Sequence, residues 1–151
     1  MTTQEVGGPN RRMTELERQS SEHEEALFSA RMLAEAQHPK NQGAMLEPNA
    51  HAIVRGPCGD TMEISLRLRR SQIQAAAFMT DGCKPAVACG SVLTTMVQGM
   101  TLEEAGKIEP QDVIAALDGL PTESAHCATL AVTTLREAIT SHRQGDSTGR
   151  K

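Results

Sequence analysis

Three of the four cysteines in this chain stand where the chain has to turn. Cys58 lies in Gly56-Pro57-Cys58-Gly59-Asp60, Cys83 in Asp81-Gly82-Cys83-Lys84-Pro85, and Cys127 directly after His126. Turns and helix starts are places where side chains from distant segments converge on one edge of a domain. Three thiolates joined by an imidazole or a carboxylate make a four-ligand set suited to zinc or to an iron–sulfur cluster. Cys83 and Cys127 also fall at expected helix starts. There the partial positive charge of free amides favours the thiolate, so both are expected to be biased toward that form.

Each piece alone has a plainer account. Cys-Gly-Asp describes a turn with a buried thiol, Gly-Cys before a helix is common packing, and a lone His126 is an exposed helix-start residue. Cys89 belongs to the stripe Cys89, Val92, Leu93, Met96 and Val97 and reads as a small apolar core thiol.

Positioning these residues calls for strands followed by helices. Apolar spacing predicts a helix from Glu24 to Gln37, stopped by His38-Pro39. Met62, Ile64, Leu66 and Leu68 alternate with Glu63, Ser65, Arg67 and Arg69, the pattern of a half-buried strand. Residues 50–55 and 72–80 are weaker strand candidates, and the link Arg69-Arg70-Ser71 has no glycine to favour a tight hairpin. Pro85 suits a first helical position. Thr101-Leu102-Glu103-Glu104 opens a short helix as a capping box, Pro110 opens another that Gly119 closes, and a last helix spans about Ser124 to Arg143. The expected fold is α+β: a three-stranded antiparallel sheet covered by helices. Residues 1–22 read as a flexible or partly helical N-terminal segment, 23–144 as the folded domain and 145–151 as a polar tail.

Composition narrows the function. The 151 residues contain no Trp or Tyr and only two Phe, so the core must be built from aliphatic residues and eight Met. A net charge of -4, without a basic stripe interleaved with aromatics, argues against nucleic-acid binding. No apolar run approaches the roughly 20 residues of a membrane span. The start, MTTQEVGGPNRR, lacks the apolar stretch of a signal peptide. The expected location is the cytoplasm, where thiols serve metal binding or sulfur chemistry rather than disulfides.

The pieces occur together in an order that is far more specific than any one of them. Pro57-Cys58-Gly59-Asp60, Thr80-Asp81-Gly82-Cys83, the segment Gly99 to Ala105, and His126-Cys127 make the chain resemble the IscU/NifU-type iron–sulfur cluster assembly scaffolds. The resemblance runs from about Glu25 to Ala138, and His38-Pro39-Lys40-Asn41-Gln42-Gly43 is similar to that family's Asn-Pro-Arg-Asn-Val-Gly segment. It implies a non-enzymatic scaffold holding a transient cluster, most simply 2Fe-2S, or iron, with zinc able to stand in its place. The implied ligands are Cys58, Cys83 and Cys127, with Asp60 beside the site, linked to cluster lability, and His126 before the third cysteine. Cys127 is the implied persulfide acceptor. The implied partners are a cysteine desulfurase, iron and electron donors, and recipient apo-proteins.

Departures from the family pattern carry information too. Leu120-Pro121-Thr122-Glu123-Ser124 replaces the Leu-Pro-Pro-Val-Lys of members served by a dedicated chaperone pair, so that partnership is not implied. Lys84 stands where a small residue is usual and Cys89 where serine is common. The chain also ends before the extra domains of full-length NifU would begin. The competing reading is a zinc-dependent sulfurtransferase of the SufU type, disfavoured by His126 and by the compact connection between the second and third cysteines. A purely structural zinc domain leaves Asp60 and His126 unexplained.

Overall fold

A computed structural model of the chain describes residues 28–147. The expectations for the N-terminal segment, for the first turn of the helix predicted from Glu24 and for the end of the tail lie outside the described residues. Helix α1 (Ala30–Gln37) starts later than its apolar spacing suggests. Ser29 is extended, with φ -68° and ψ 158°, and its hydroxyl accepts from the N–H of Met32 at 2.9 Å. A serine in that conformation caps a helix instead of continuing it.

Strands β1 (Ala50–Arg55), β2 (Thr61–Arg69) and β3 (Gln72–Thr80) form one antiparallel sheet in the order β1-β2-β3. Met62, Ile64 and Leu66 of β2, with Ile73 and Phe78 of β3, are buried on one face, while Ile53 and Met79 are exposed on the other. The period-two alternation of apolar side chains dictates this division. The β2–β3 link closes tightly without glycine. Arg69 pairs with Gln72, and Arg70 (φ 56°) and Ser71 (φ 66°) both take the left-handed conformation of a two-residue primed turn.

Helices α2 (Lys84–Val97), α3 (Leu102–Gly106), α4 (Pro110–Ala116) and α5 (Ala125–Ser147) follow, the last preceded by a 3₁₀ turn at Thr122–Ser124. Pro85 occupies the second position of α2 rather than the first, and α5 continues through Gly145 to Ser147, past the expected start of the tail. Helix α5 packs on β1 and β2, α2 on β3, and α1 on α2. Because α2 is enclosed by these neighbours, it is buried nearly all round, not along a single stripe. Its Gly90 receives the ring of Phe78: a Cβ there would lie 2.4 Å from Phe78 Cδ2. The Thr101–Glu104 capping box forms as expected, with both reciprocal bonds present.

The two sheet edges are treated differently. The outer edge of β3 is capped by residues 41–43: the Phe78 N–H donates to the Asn41 carbonyl at 2.9 Å, and the Gly43 N–H to the Phe78 carbonyl at 2.8 Å. Asn41 holds this approach at φ 65°, its side-chain amide donating to Thr94 Oγ1 and Thr95 Oγ1 at 3.1 Å each. The Lys40 N–H and Nζ reach Ser91 and the buried Glu35. By contrast, β1 has no strand neighbour on its outer side among the described residues. No helix among these residues is long and apolar enough to cross a membrane.

Candidate metal centre

Three chain reversals build the site. The β1–β2 turn is closed by the Gly56 N–H donating to the Asp60 carbonyl at 2.8 Å and the Gly59 N–H to the Gly56 carbonyl at 3.0 Å, with Gly59 at φ 97°. This turn presents Cys58 and Asp60. Cys83 is the extended N-cap of α2. His126 and Cys127 sit in the first turn of α5, which the 3₁₀ turn leads into.

A second layer ties the first two reversals together. The Thr61 N–H donates to Asp81 Oδ1 at 2.7 Å, Thr80 Oγ1 donates to the Thr61 carbonyl at 2.6 Å, and the Gly82 N–H donates back to Thr80 Oγ1 at 3.1 Å. Asp60 and Gly82 are thereby pressed together. A Cβ on Gly82 would lie 2.9 Å from Asp60 Oδ2. Reading the motif alone does not assign these supporting roles to Thr61, Thr80, Asp81 and Gly82; the Asp-Gly pair directly before a cysteine is the trace they leave in the sequence.

The structure brings Cys58, Asp60, Cys83, His126 and Cys127 to one end of the domain, in two overlapping groups. One ligand atom from each of Cys58, Asp60 and His126 lies within 4.8 Å of the others, and so do those of Asp60, Cys83 and Cys127. Asp60 belongs to both triads. Cys58 and Cys83 are exposed, whereas Cys127 is only 1% exposed. Thiolate sulfur with one hard oxygen and one imidazole suits zinc, ferrous iron or an iron–sulfur cluster, and a carboxylate is the ligand most easily exchanged from that set.

Electrostatics correct one expectation. Burial, then the charges of Cys83, Asp60 and Cys58, then a hydrogen bond with Cys83, push the Cys127 thiol up to about 12 instead of down toward the thiolate. Its neighbour His126 Nε2 stands 3.7 Å from the sulfur. At this position the helix start is outweighed by burial and by like charges, and a bound cation is what would make the thiolate the stable form. Cys89, buried in the core behind the site, is also pushed up, by burial first and then by the charges of Cys127 and Cys83. It joins neither triad.

Fold and site together define a small α+β domain that gathers three cysteines, an aspartate and a histidine able to hold a metal ion at one end. The sequence matches the family described as the NifU-like N terminal domain over residues 27–148, and the chain belongs to that family. It is 38% identical over 114 residues to the "Iron-sulfur cluster assembly scaffold protein IscU 1" of Archaeoglobus fulgidus, covering 75% of this chain and 74% of that one. It is 34% identical to the "Nitrogen fixation protein NifU" of a Nostoc species, covering 70% of this chain and 38% of that protein. Among solved structures, the NifU-like N-terminal protein of Brucella abortus superposes with a TM-score of 0.63 at 21% identity, covering 78% of this chain and 95% of the other. That likeness bears out the helix-covered three-stranded fold.

Proposed function

We propose that this chain is a scaffold on which iron–sulfur clusters are assembled and from which they pass to recipient apo-proteins, with residues 23–144 as the working domain. The observation that carries the reading is the sharing of Asp60 between the Cys58–His126 and Cys83–Cys127 triads. One exchangeable carboxylate spanning two sets of firmer ligands suits a site that must hold its cargo and then let it go. Relatives named as assembly scaffolds support the same role.

In this scheme a cysteine desulfurase supplies sulfur as a persulfide, iron and electron donors supply the rest, and a 2Fe-2S cluster forms on Cys58, Cys83 and Cys127 with Asp60 or His126 completing the set. Zinc fits the same donors. The exposed thiols of Cys58 and Cys83 are the ones a partner reaches first. Cys127, the acceptor by resemblance, takes sulfur either through Cys83, which shares its triad, or after the first turn of α5 opens. These steps belong in the cytoplasm, and Thr122-Glu123-Ser124, standing where members served by the specialised chaperone pair carry Pro-Val-Lys, speaks against that partnership here.

Anaerobic reconstitution with ferrous iron, a desulfurase and cysteine, followed by absorption and Mössbauer spectra, tests the proposal. A cluster that forms and then loads an apo-ferredoxin is the expected result. Tight zinc binding with persulfide relay and no cluster would replace the scaffold with a sulfurtransferase.

A further inference from the structure

The outer edge of β1, which has no strand neighbour among the described residues, leads to the site. The Gly56 N–H to Asp60 carbonyl bond continues the β1–β2 ladder. In an antiparallel pair the backbone groups alternate in direction, so those of Ala52 and Val54 point at β2. The N–H and C=O groups of His51, Ile53 and Arg55 therefore point outward, and they have no hydrogen-bond partner among the described residues. A row of unpaired donors and acceptors is a template for another strand. Strand β1 has no proline, glycine or bulge to blunt it, whereas residues 41–43 cover the opposite edge.

Beside this edge runs a groove of about 280 Å³. Val54 forms one wall, Thr129, Leu130 and Thr133 form the other from a single face of α5, and Cys58 and His126 stand at its end. A chain paired with β1 would pack its inward side chains on Leu130 and bring its terminus to the Cys58–His126 triad.

We propose that the β1 edge and this groove form a strand-addition site for an extended, cysteine-bearing segment of a recipient apo-protein. The proposal rests on the scaffold reading above and adds where the recipient docks. A recipient is favoured over a sulfur donor because the groove ends at Cys58 and His126, not at the Cys83–Cys127 pair that takes up sulfur in the scheme above. There an incoming thiol can replace Cys58 on the cargo iron: a new sulfur–iron bond forms, the Cys58–iron bond breaks, and one proton passes from the incoming thiol to the departing thiolate. The cargo keeps its oxidation state and charge, so the exchange needs no oxidant or reductant.

Two variants test this. Ile53→Pro removes an outward N–H while leaving the ladder to β2 intact, since proline is tolerated at such edge positions. Thr133→Arg fills the groove from an exposed helix position without touching the sheet. With an apo-ferredoxin that the wild-type holo-protein loads, both variants are expected to keep wild-type melting curves and cluster spectra but to transfer at least tenfold more slowly. In wild type, hydrogen exchange of the His51, Ile53 and Arg55 amides is expected to slow at least tenfold when that ferredoxin is added. Wild-type transfer rates in folded variants, or unchanged amide exchange, would overturn the proposal. So would amide protection that grows with the concentration of this chain alone, which would make a second copy the occupant. Failure of wild type to build any cluster would instead defeat the scaffold reading, and amide exchange of the cluster-free chain with and without an added apo-ferredoxin would still report on the edge.

Discussion

Asp60 occupies the space that a side chain on Gly82 would need. A Cβ there would fall 2.9 Å from Asp60 Oδ2 and 2.6 Å from the Cβ of Ala86. Contacts that short force something to move. The turn that carries Cys58 and Asp60 and the start of α2 thus fit together only because residue 82 has no side chain.

Gly82→Ala is accordingly expected to displace Asp60 and disturb both triads at once. Zinc affinity, measured by competition with a chromophoric chelator, should fall at least tenfold, and overpacking should cost about 1–3 kcal/mol of stability. Gly106→Ala is the matched control, because a Cβ there meets nothing within 4 Å. Its melting curve should stay within about 1 kcal/mol of wild type. Equal zinc affinity in both variants would mean that the Gly82–Asp60 approach does not position the site.

Asp60→Ala tests release. If the carboxylate is the exchangeable ligand, the variant still assembles a cluster, provided His126 or an added thiol fills the vacant place. That cluster should outlast the wild-type one under oxygen and chelator and move more slowly to apo-ferredoxin. Side-by-side half-lives and transfer rates decide the matter: faster loss in the variant makes Asp60 a structural ligand and puts lability elsewhere.

Cys89→Ala should leave reconstitution intact and cost roughly 1 kcal/mol, the scale of a small deletion in a packed core. Its thiol is fully buried among apolar neighbours and outside both triads. A folded Cys89→Ala protein that cannot hold a cluster would show that this thiol is a ligand after all.

The last prediction concerns acid stability. Burial raises the Glu35 carboxyl, but hydrogen bonds from Ser91, Lys40 and Arg31, together with the charge of Lys40, outweigh it and hold the group below its ordinary 4.5. The Ser91 hydroxyl is 2.5 Å away and Lys40 Nζ 3.0 Å. A depressed carboxylate contributes stability above its unfolded value and loses it as pH falls through the folded one. Denaturant titrations should therefore show wild type losing stability below pH 4.5 more steeply than Glu35→Gln. At neutral pH the variant should be weaker by about 1–3 kcal/mol, the cost of breaking a buried polar network. Parallel pH profiles would remove Glu35 as the cause.

Much of the architecture was written locally. The alternation of Met62, Ile64 and Leu66 dictates a strand with one buried face, and Thr101 with Glu104 dictates a capped helix start, because neighbouring residues supply the whole cause of each. The order and spacing of the Pro-Cys-Gly-Asp, Asp-Gly-Cys and His-Cys segments were enough to identify the family. Other features depend on partners far along the chain. The glycine-free turn at Arg70-Ser71 is set by the twist of the strands it joins, and α1 is capped by Ser29, whose hydroxyl also donates to the carbonyl of Leu117. A helix-start argument for Cys127 sees only its own turn. The tertiary structure buries that thiol beside Cys83, Asp60 and Cys58, and desolvation with like charge wins. Likewise the sequence offers Cys58, Asp60, Cys83, His126 and Cys127 as one undivided set of candidates. Their division into two triads hinged on Asp60, and the groove beside β1 that leads to one of them, arise only when the sheet and α5 come together.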